Sequence, residues 1–197
     1  MNAPKEIISI LKRGGIGVLP TDTIYGLVGA ALNKKTVRRI YKAKKRNPSK
    51  PFIVLISSMK DLELFDIKID KVTKRILKKL WPGQISIILS SLNKKYYYLH
   101  RGTKTLAFRL PVSKSLINLL KEVGPLVAPS ANVEGKLPAK TIKEAKVYFG
   151  NKIYPELDRR VDFYVDKGRI MGKPSTLISV LNGKVVVLRE GCVRLKL

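Results

Sequence analysis

The stretch Ile16-Gly17-Val18-Leu19-Pro20-Thr21-Asp22-Thr23-Ile24-Tyr25-Gly26-Leu27 sets hydroxyls, one carboxylate and one phenol directly after a strand-like apolar run, Ile16 to Leu19. In open α/β sheets, ligands sit in the crevice beyond strand ends, where short polar side chains and backbone groups are free to face a guest. Pro, Thr, Asp and Gly also build ordinary polar turns. Taken alone, the segment leaves both readings open.

Upstream of this stretch, Pro4 suits a first helical turn, Ile7, Ile8, Ile10 and Leu11 form an apolar stripe, and Gly14-Gly15 ends it. Thr36 is read as the cap of a second helix carrying Val37, Ile40 and Tyr41, with Lys42, Lys44, Lys45 and Arg46 complementing the dipole at its end. Phe52 to Ile56 reads as a buried strand, Ser58 with Asp61 as the start of a short helix, and Asp70 as the start of a helix ended by Trp81-Pro82-Gly83. Strands follow at Ile85 to Leu89, Thr105 to Leu110 and Leu126 to Ala128, and helices at Ser113 to Val123 and Thr141 to Phe149. Asp162 to Asp166, Thr176 to Leu181 and Lys184 to Leu188 are the last strands, the final two joined by a hairpin turn at Asn182-Gly183. Alternating helices and strands with a terminal hairpin predict an α/β fold, a three-layer domain whose twisted mixed sheet carries flanking helices.

The 197 residues, 45% of them hydrophobic, fit one domain spanning 1–197. No apolar run reaches the roughly 18 residues of a membrane span, and Met1 to Glu6 lack a signal peptide's apolar core, so a cytoplasmic protein with no membrane partner is expected. A lone cysteine, Cys192, excludes an internal disulfide and a thiolate metal cluster; it reads as a small apolar residue in or near a strand. The net charge of +26, from 40 Lys plus Arg against 14 Asp plus Glu, favours polyanionic partners such as nucleotides or RNA. Much of it is Lys, a point charge and not the bidentate fork of Arg, so the field does not choose among them.

Two nucleotide motifs fail. Gly29 to Thr36 approaches a P-loop but has Lys34 where the second glycine must stand, and the run from Gly15 and Gly17 puts Pro20 at the third glycine of a dinucleotide fingerprint. His100, the only histidine, rules out multi-histidine metal sites and reads as a surface or packing residue. Chemistry is left to Lys, Arg, Ser, Thr, Asn and Asp at predicted element ends: Lys44, Arg46 and Lys50, then Arg109, then Ser130 and Asn132, then Ser175 and Arg189. Cations suit a polyphosphate, while hydroxyl, amide and carboxylate groups suit a small zwitterion.

These residues stand in a recognisable order. Pro-Thr-Asp-Thr-Ile-Tyr-Gly-Leu at 20–27, Lys44-Lys45-Arg46, Trp-Pro-Gly at 81–83, Arg-Leu-Pro at 109–111, Ala-Pro-Ser-Ala-Asn at 128–132, Pro-Ser-Thr at 174–176 and Leu-Arg-Glu-Gly at 188–191 run nearly end to end. In this order the chain resembles the threonylcarbamoyl-AMP synthases, the YrdC-like or TsaC family. The resemblance implies condensation of L-threonine, bicarbonate or CO2, and ATP, with Mg²⁺ accompanying ATP, into threonylcarbamoyl-AMP and pyrophosphate. The product would feed threonylcarbamoyladenosine modification of tRNA through a downstream transferase complex. By matched position, Thr23, Tyr25, Arg109 and Ser175 are expected to hold threonine. Lys44, Arg46, Lys50, Thr105, Ala128, Ser130, Asn132, Pro138 and Arg189 are expected at the ATP site, with Lys44, Arg46, Ser130 and Asn132 catalytic and no metal ligands assigned.

Asn47 replaces a common family proline, Leu55 a histidine found in longer members, and Glu134 and Pro138 hydroxyl residues common in part of the family. The chain ends soon after Leu-Arg-Glu-Gly, which implies the short, single-domain form. The competing reading is an RNA-binding module of the same fold, using the positive field and a Tyr96-Tyr97-Tyr98 platform beside Lys94 and Lys95, although those tyrosines also suit alternating strand packing.

Overall fold

The computed structural model describes residues 4–150, 160–181 and 183–195. Helix α1 (Lys5–Lys12) buries Ile7 and Leu11 and stops where Gly14 takes a φ of 85°. Strand β1 (Ile16–Pro20) follows as expected and pairs antiparallel with β2 (Tyr25–Ala30), so the polar residues 21–24 form the connection of a hairpin. No strand was expected at β2, because Gly26 and Gly29 interrupt its apolar pattern. Gly29 is there for close approach: a Cβ would lie 2.5 Å from Thr36 Cγ2 and 3.0 Å from Ile16 Cγ2, where helix α2 (Lys34–Lys44) presses on the strand.

Asn33, not Thr36, caps α2. Its Oδ1 accepts from the Lys35 and Thr36 N–H groups, while the Thr36 hydroxyl, already inside the helix, donates to the Gly14 carbonyl. Asp70 caps α3 (Lys71–Leu80), Ser113 caps α5 (Lys114–Val123) and Thr141 caps α6 (Ile142–Phe149), each one residue outside its helix. Ser58 and Asp61 open a 3-10 segment, Met59–Phe65. The tyrosine run is helical, not extended. Asn93 Oδ1 accepts from Lys95 N–H to start a 3-10 turn over Lys94–Tyr96, and α4 (Tyr97–His100) continues it, burying Tyr96, Leu99 and His100 at helical spacing.

The remaining strands are β3 (Ile53–Leu55), β4 (Ile85–Ser90), β5 (Thr105–Arg109), β6 (Leu126–Val127), β7 (Phe163–Tyr164), β8 (Thr176–Leu181) and β9 (Lys184–Arg189). The first member of the predicted turn between β8 and β9, Asn182, lies outside the described residues; Gly183 has the left-handed φ of 74°. Among the described residues nine strands form one mixed sheet, ordered β7-β1-β2-β6-β3-β5-β4-β8-β9, with parallel pairs β1/β7, β3/β5 and β4/β8.

Side chains alternate across the sheet, so each face has its own core. One cluster joins Val18, Leu27, Val54, Phe108, Ile87 and Ile178 to Ile40 of α2, Leu77 of α3 and Phe149 of α6. On the other face, Leu19, Val28 and Leu55 meet Leu11 of α1 and Leu116 and Leu120 of α5. The register carries that second face from Leu55 to Arg109, and through Ala107 and Ile88 to Ser179. No helix residue joins this face over β5, β4 and β8 among the described residues. The bare half-face forms the floor of a cleft.

Candidate active site

The cleft encloses about 350 Å³. Ile53, Ala107, Ile88 and Leu177 rise from the sheet, and Arg109, Arg46, Arg189, Thr23, Ser130 and Ser175 bring polar groups to its wall. The cleft therefore lies on the face of the sheet and not in the crevice beyond strand ends that the opening segment led one to expect, because no helix among the described residues covers this half-face.

Arg109 is 4% exposed, and its Nη1 lies 2.9 Å from Asp22 Oδ1 and 3.3 Å from the Thr23 hydroxyl that accepts from it. The Asp22 contact is an ion pair without hydrogen-bond alignment, and Arg109 Nε has no partner. Burial lowers the Arg109 pKa, with Asp22 opposing. The residues 21–24 are themselves fixed, since Thr21 Oγ1 donates to the Ile24 carbonyl, Val112 N–H donates to Asp22 Oδ2, and Gln84 Nε2 donates to the Asp22 carbonyl. Ser175 Oγ is 2.8 Å from Ser86 Oγ, and the Ser175 carbonyl accepts from Arg189. A buried guanidinium lining a polar cleft is suited to receive a carboxylate.

Tyr25 stands apart from these residues. Alternation along β2 turns Gly26 toward the cleft and Tyr25 into the opposite core, fully buried. Its hydroxyl donates to the Gly168 carbonyl at 2.8 Å and accepts from Lys167 N–H at 2.9 Å. Tyr25 therefore anchors the 166–168 loop.

Arg46 lines the cleft, held by donation to the Lys50 and Pro51 carbonyls and by the Phe52 ring 5.2 Å below its guanidinium. Burial lowers the pKa of Arg46, and burial with the neighbouring Arg46 lowers that of Arg189. Two mutually repelling guanidinium groups on one wall favour an anion between them. Thr105, Ala128 and Ser130 also line the cleft, whereas Lys44, Lys50, Asn132 and Pro138 do not.

Lys44 points inward at 1% exposure. Its Nζ donates to the Ser130 carbonyl at 2.5 Å, the Asn132 carbonyl at 2.7 Å and Asn132 Oδ1 at 3.2 Å. Asn132 Oδ1 in turn accepts from Ser130 Oγ at 2.6 Å, and its amide donates to the Val133 and Lys136 carbonyls. Lys44 and Asn132 thus hold the loop that presents Ser130 to the cleft. Burial, then Arg46, pushes the Lys44 ammonium down to about 7, with Glu134 opposing.

Sequence reading gave no site role to Asp22, although its carboxylate stands in the opening polar segment, nor to Gln84 or to Thr103, which lines the cleft next to Thr105. Cys192 is exposed, not apolar filling in a strand. His100 is buried. The tyrosine platform is mostly internal, because Tyr96 donates to the Leu64 carbonyl and Tyr98 to the Ala31 carbonyl, leaving Tyr97 as the exposed ring. Among the described residues no helix is long and apolar enough to cross a membrane.

A mixed nine-stranded sheet with a polar cleft on its bare half-face defines a YrdC-like α/β protein. The chain belongs to the Sua5/YciO/YrdC family, whose model, described as telomere recombination, matches residues 9–191. It is 33% identical to the threonylcarbamoyl-AMP synthase of Bacillus subtilis over 94% of this chain and 52% of that protein. The crystal structure of P. abyssi Sua5 complexed with L-threonine superposes with a TM-score of 0.82 at 28% identity, over 94% of this chain and 53% of that one. E. coli YciO superposes at 0.79 with 25% identity, over 99% and 94%. The chain spans about half the length of the B. subtilis and P. abyssi relatives.

Proposed function

We propose that this chain is an L-threonylcarbamoyladenylate synthase, a nucleotidyltransferase joining L-threonine, bicarbonate or CO2, and ATP. The observation that carries it is Arg109: a buried guanidinium lining a cleft that also holds Arg46 and Arg189. The name of the B. subtilis relative and the threonine bound to P. abyssi Sua5 support the same reading. Arg109 takes the threonine carboxylate, and Thr23 and Ser175 offer hydroxyls to its polar end. Arg46, Arg189 and Ser130 face the nucleotide, and Thr105 and Ala128 line its walls.

The threonine amine captures CO2 as a carbamate, losing a proton, and a carbamate oxygen attacks the α-phosphorus. The bond from the α-phosphorus to its bridging oxygen breaks, and pyrophosphate leaves with the electron pair. Charge gathers on the leaving group, where Arg46 and Arg189 stabilise it without a protein nucleophile. Lys44 and Asn132 act one step back, by fixing Ser130. Among the described residues no group of three or more His, Cys, Asp or Glu could cage a metal. Mg²⁺ fits this reaction as an ion carried on ATP phosphates and water.

Residues 1–197 form one domain in this reading, supported by a single sheet and a family match over nearly the whole chain. The product serves tRNA threonylcarbamoyladenosine formation through a partner that transfers the group, in the cytoplasm. The +26 charge supports direct attraction to tRNA as a second property of the chain. Incubating the protein with ATP, bicarbonate and each amino acid tests the activity. Threonine-dependent pyrophosphate release is expected, and release that ignores threonine and bicarbonate would sink the proposal.

A further inference from the structure

Lys50, assigned to phosphate from the sequence, is held by a carboxylate of its own chain. Glu134 Oε1 accepts from Lys50 Nζ at 2.8 Å, and Oε2 accepts from the Asn47 N–H at 2.6 Å. The Glu134 N–H donates to the Lys44 carbonyl at 2.8 Å. Glu134 thereby straps the turn after Lys44 to the loop after Asn132, the two segments that carry the cations and Ser130. Its charge also favours the protonated forms of Arg46 and Lys44. One carboxylate is counter-ion to all three.

The strap is open to water: the Lys50 side chain is 57% exposed and that of Glu134 25%. Such pairs are weak and exchange readily. A polyphosphate at Arg46 brings several anionic oxygens beside Lys50, whose carbonyl accepts from Arg46 Nε, and charge-assisted bonds from Arg and Lys to phosphate outcompete a single exposed carboxylate contact.

We propose that Glu134 is a displaceable internal counter-anion of the polyphosphate subsite: it neutralises Lys50 between ligands, yields it to the phosphates of ATP, and reclaims it as pyrophosphate leaves. The proposal rests on the reading of the Arg46 side of the cleft as the polyphosphate side. Its consequence is faster release of pyrophosphate at the expense of affinity. A purely structural strap has the opposite sign, since weakening it would loosen the cations and lower affinity.

The test is calorimetric titration of pyrophosphate into the wild type, Glu134→Gln, Lys50→Ala and the double variant at fixed ionic strength. Gln retains an oxygen for the Asn47 N–H, and thermal melting checks that the strap survives. Glu134→Gln is expected to bind pyrophosphate about two- to fivefold more tightly. Lys50→Ala is expected to cost more affinity in that background than in the wild type. Unchanged or weaker binding by Glu134→Gln, or an equal Lys50→Ala effect in both backgrounds, overturns the proposal. Adenylate synthesis measured on the same proteins separates the two claims: tighter pyrophosphate binding without synthesis supports the counter-anion and refutes the synthase, and synthesis with unaltered affinity does the reverse.

Discussion

Replacing either member of the Asp22–Arg109 pair should expose how the cleft is built. Both side chains are 4% exposed and the charged atoms are 2.9 Å apart. At an effective dielectric near 20, unit charges at that distance attract by about 6 kcal/mol before the desolvation of both is subtracted. Removing one partner strands the other, which costs about 3–5 kcal/mol in buried pairs. Asp22→Asn keeps an oxygen for the Val112 N–H, and Arg109→Gln keeps a donor near Thr23, so the substitutions act mainly on charge. Urea unfolding of the wild type, each single variant and the double variant closes a cycle. Each single change is expected to cost about 3 kcal/mol or more, and the double variant to recover at least about 2 kcal/mol of the summed loss. Additivity within about 0.5 kcal/mol would refute the pair as the organiser of the 21–24 connection.

Lys44→Met removes a group pushed down to about 7 in the fold from 10.5. Between those values the unfolded chain holds the proton and the fold does not, so wild-type stability rises with pH there, by at most about 1.4 kcal/mol per unit. Urea unfolding should show the wild type gaining about 2 kcal/mol on the variant from pH 7 to 9, with no relative change below pH 6; a flat difference contradicts the buried ammonium. Tyr25→Phe loses the bonds to Gly168 and Lys167, about 2 kcal/mol together, and should speed hydrogen exchange at the Lys167 amide; unchanged protection would show that the loop is held otherwise. Gly29→Val drives side-chain atoms into Thr36 and Ile16, and should lower stability by about 1–3 kcal/mol in thermal melts; a neutral result would contradict the close approach of α2 to β2.

Local chemistry made much of the fold legible. β4, β5, β8 and β9 declare themselves as apolar runs between turn signals, and Asp70, Ser113 and Thr141 mark helix starts. β2 did not, because Gly29, which lets α2 approach, and Gly26, which faces the cleft, erase the strand pattern. The tyrosine run misled because aromatic residues favour strands, whereas Asn93 and the burial of Tyr96, Leu99 and His100 select a helix. In the site, residue types and their order pointed to the cleft, but orientation did not follow. Lys44 sits in a run of four basic residues and looks solvated; it turns inward to meet carbonyls 86 and 88 residues away. Tyr25 belongs to the most telling segment, yet strand alternation sends it to the far face. Glu134 becomes a counter-ion only when the 44–50 and 130–134 segments come together.

The most direct measurement is mass spectrometry of the adenylate formed from ¹³C-bicarbonate, L-threonine and ATP by the wild type and Arg109→Gln. A threonylcarbamoyl-AMP product carrying one ¹³C is expected in the wild type, and a raised threonine KM with a nearly unchanged ATP KM in the variant. A wild type that hydrolyses or binds ATP yet forms no labelled adenylate, or a variant whose threonine KM does not move, would contradict it.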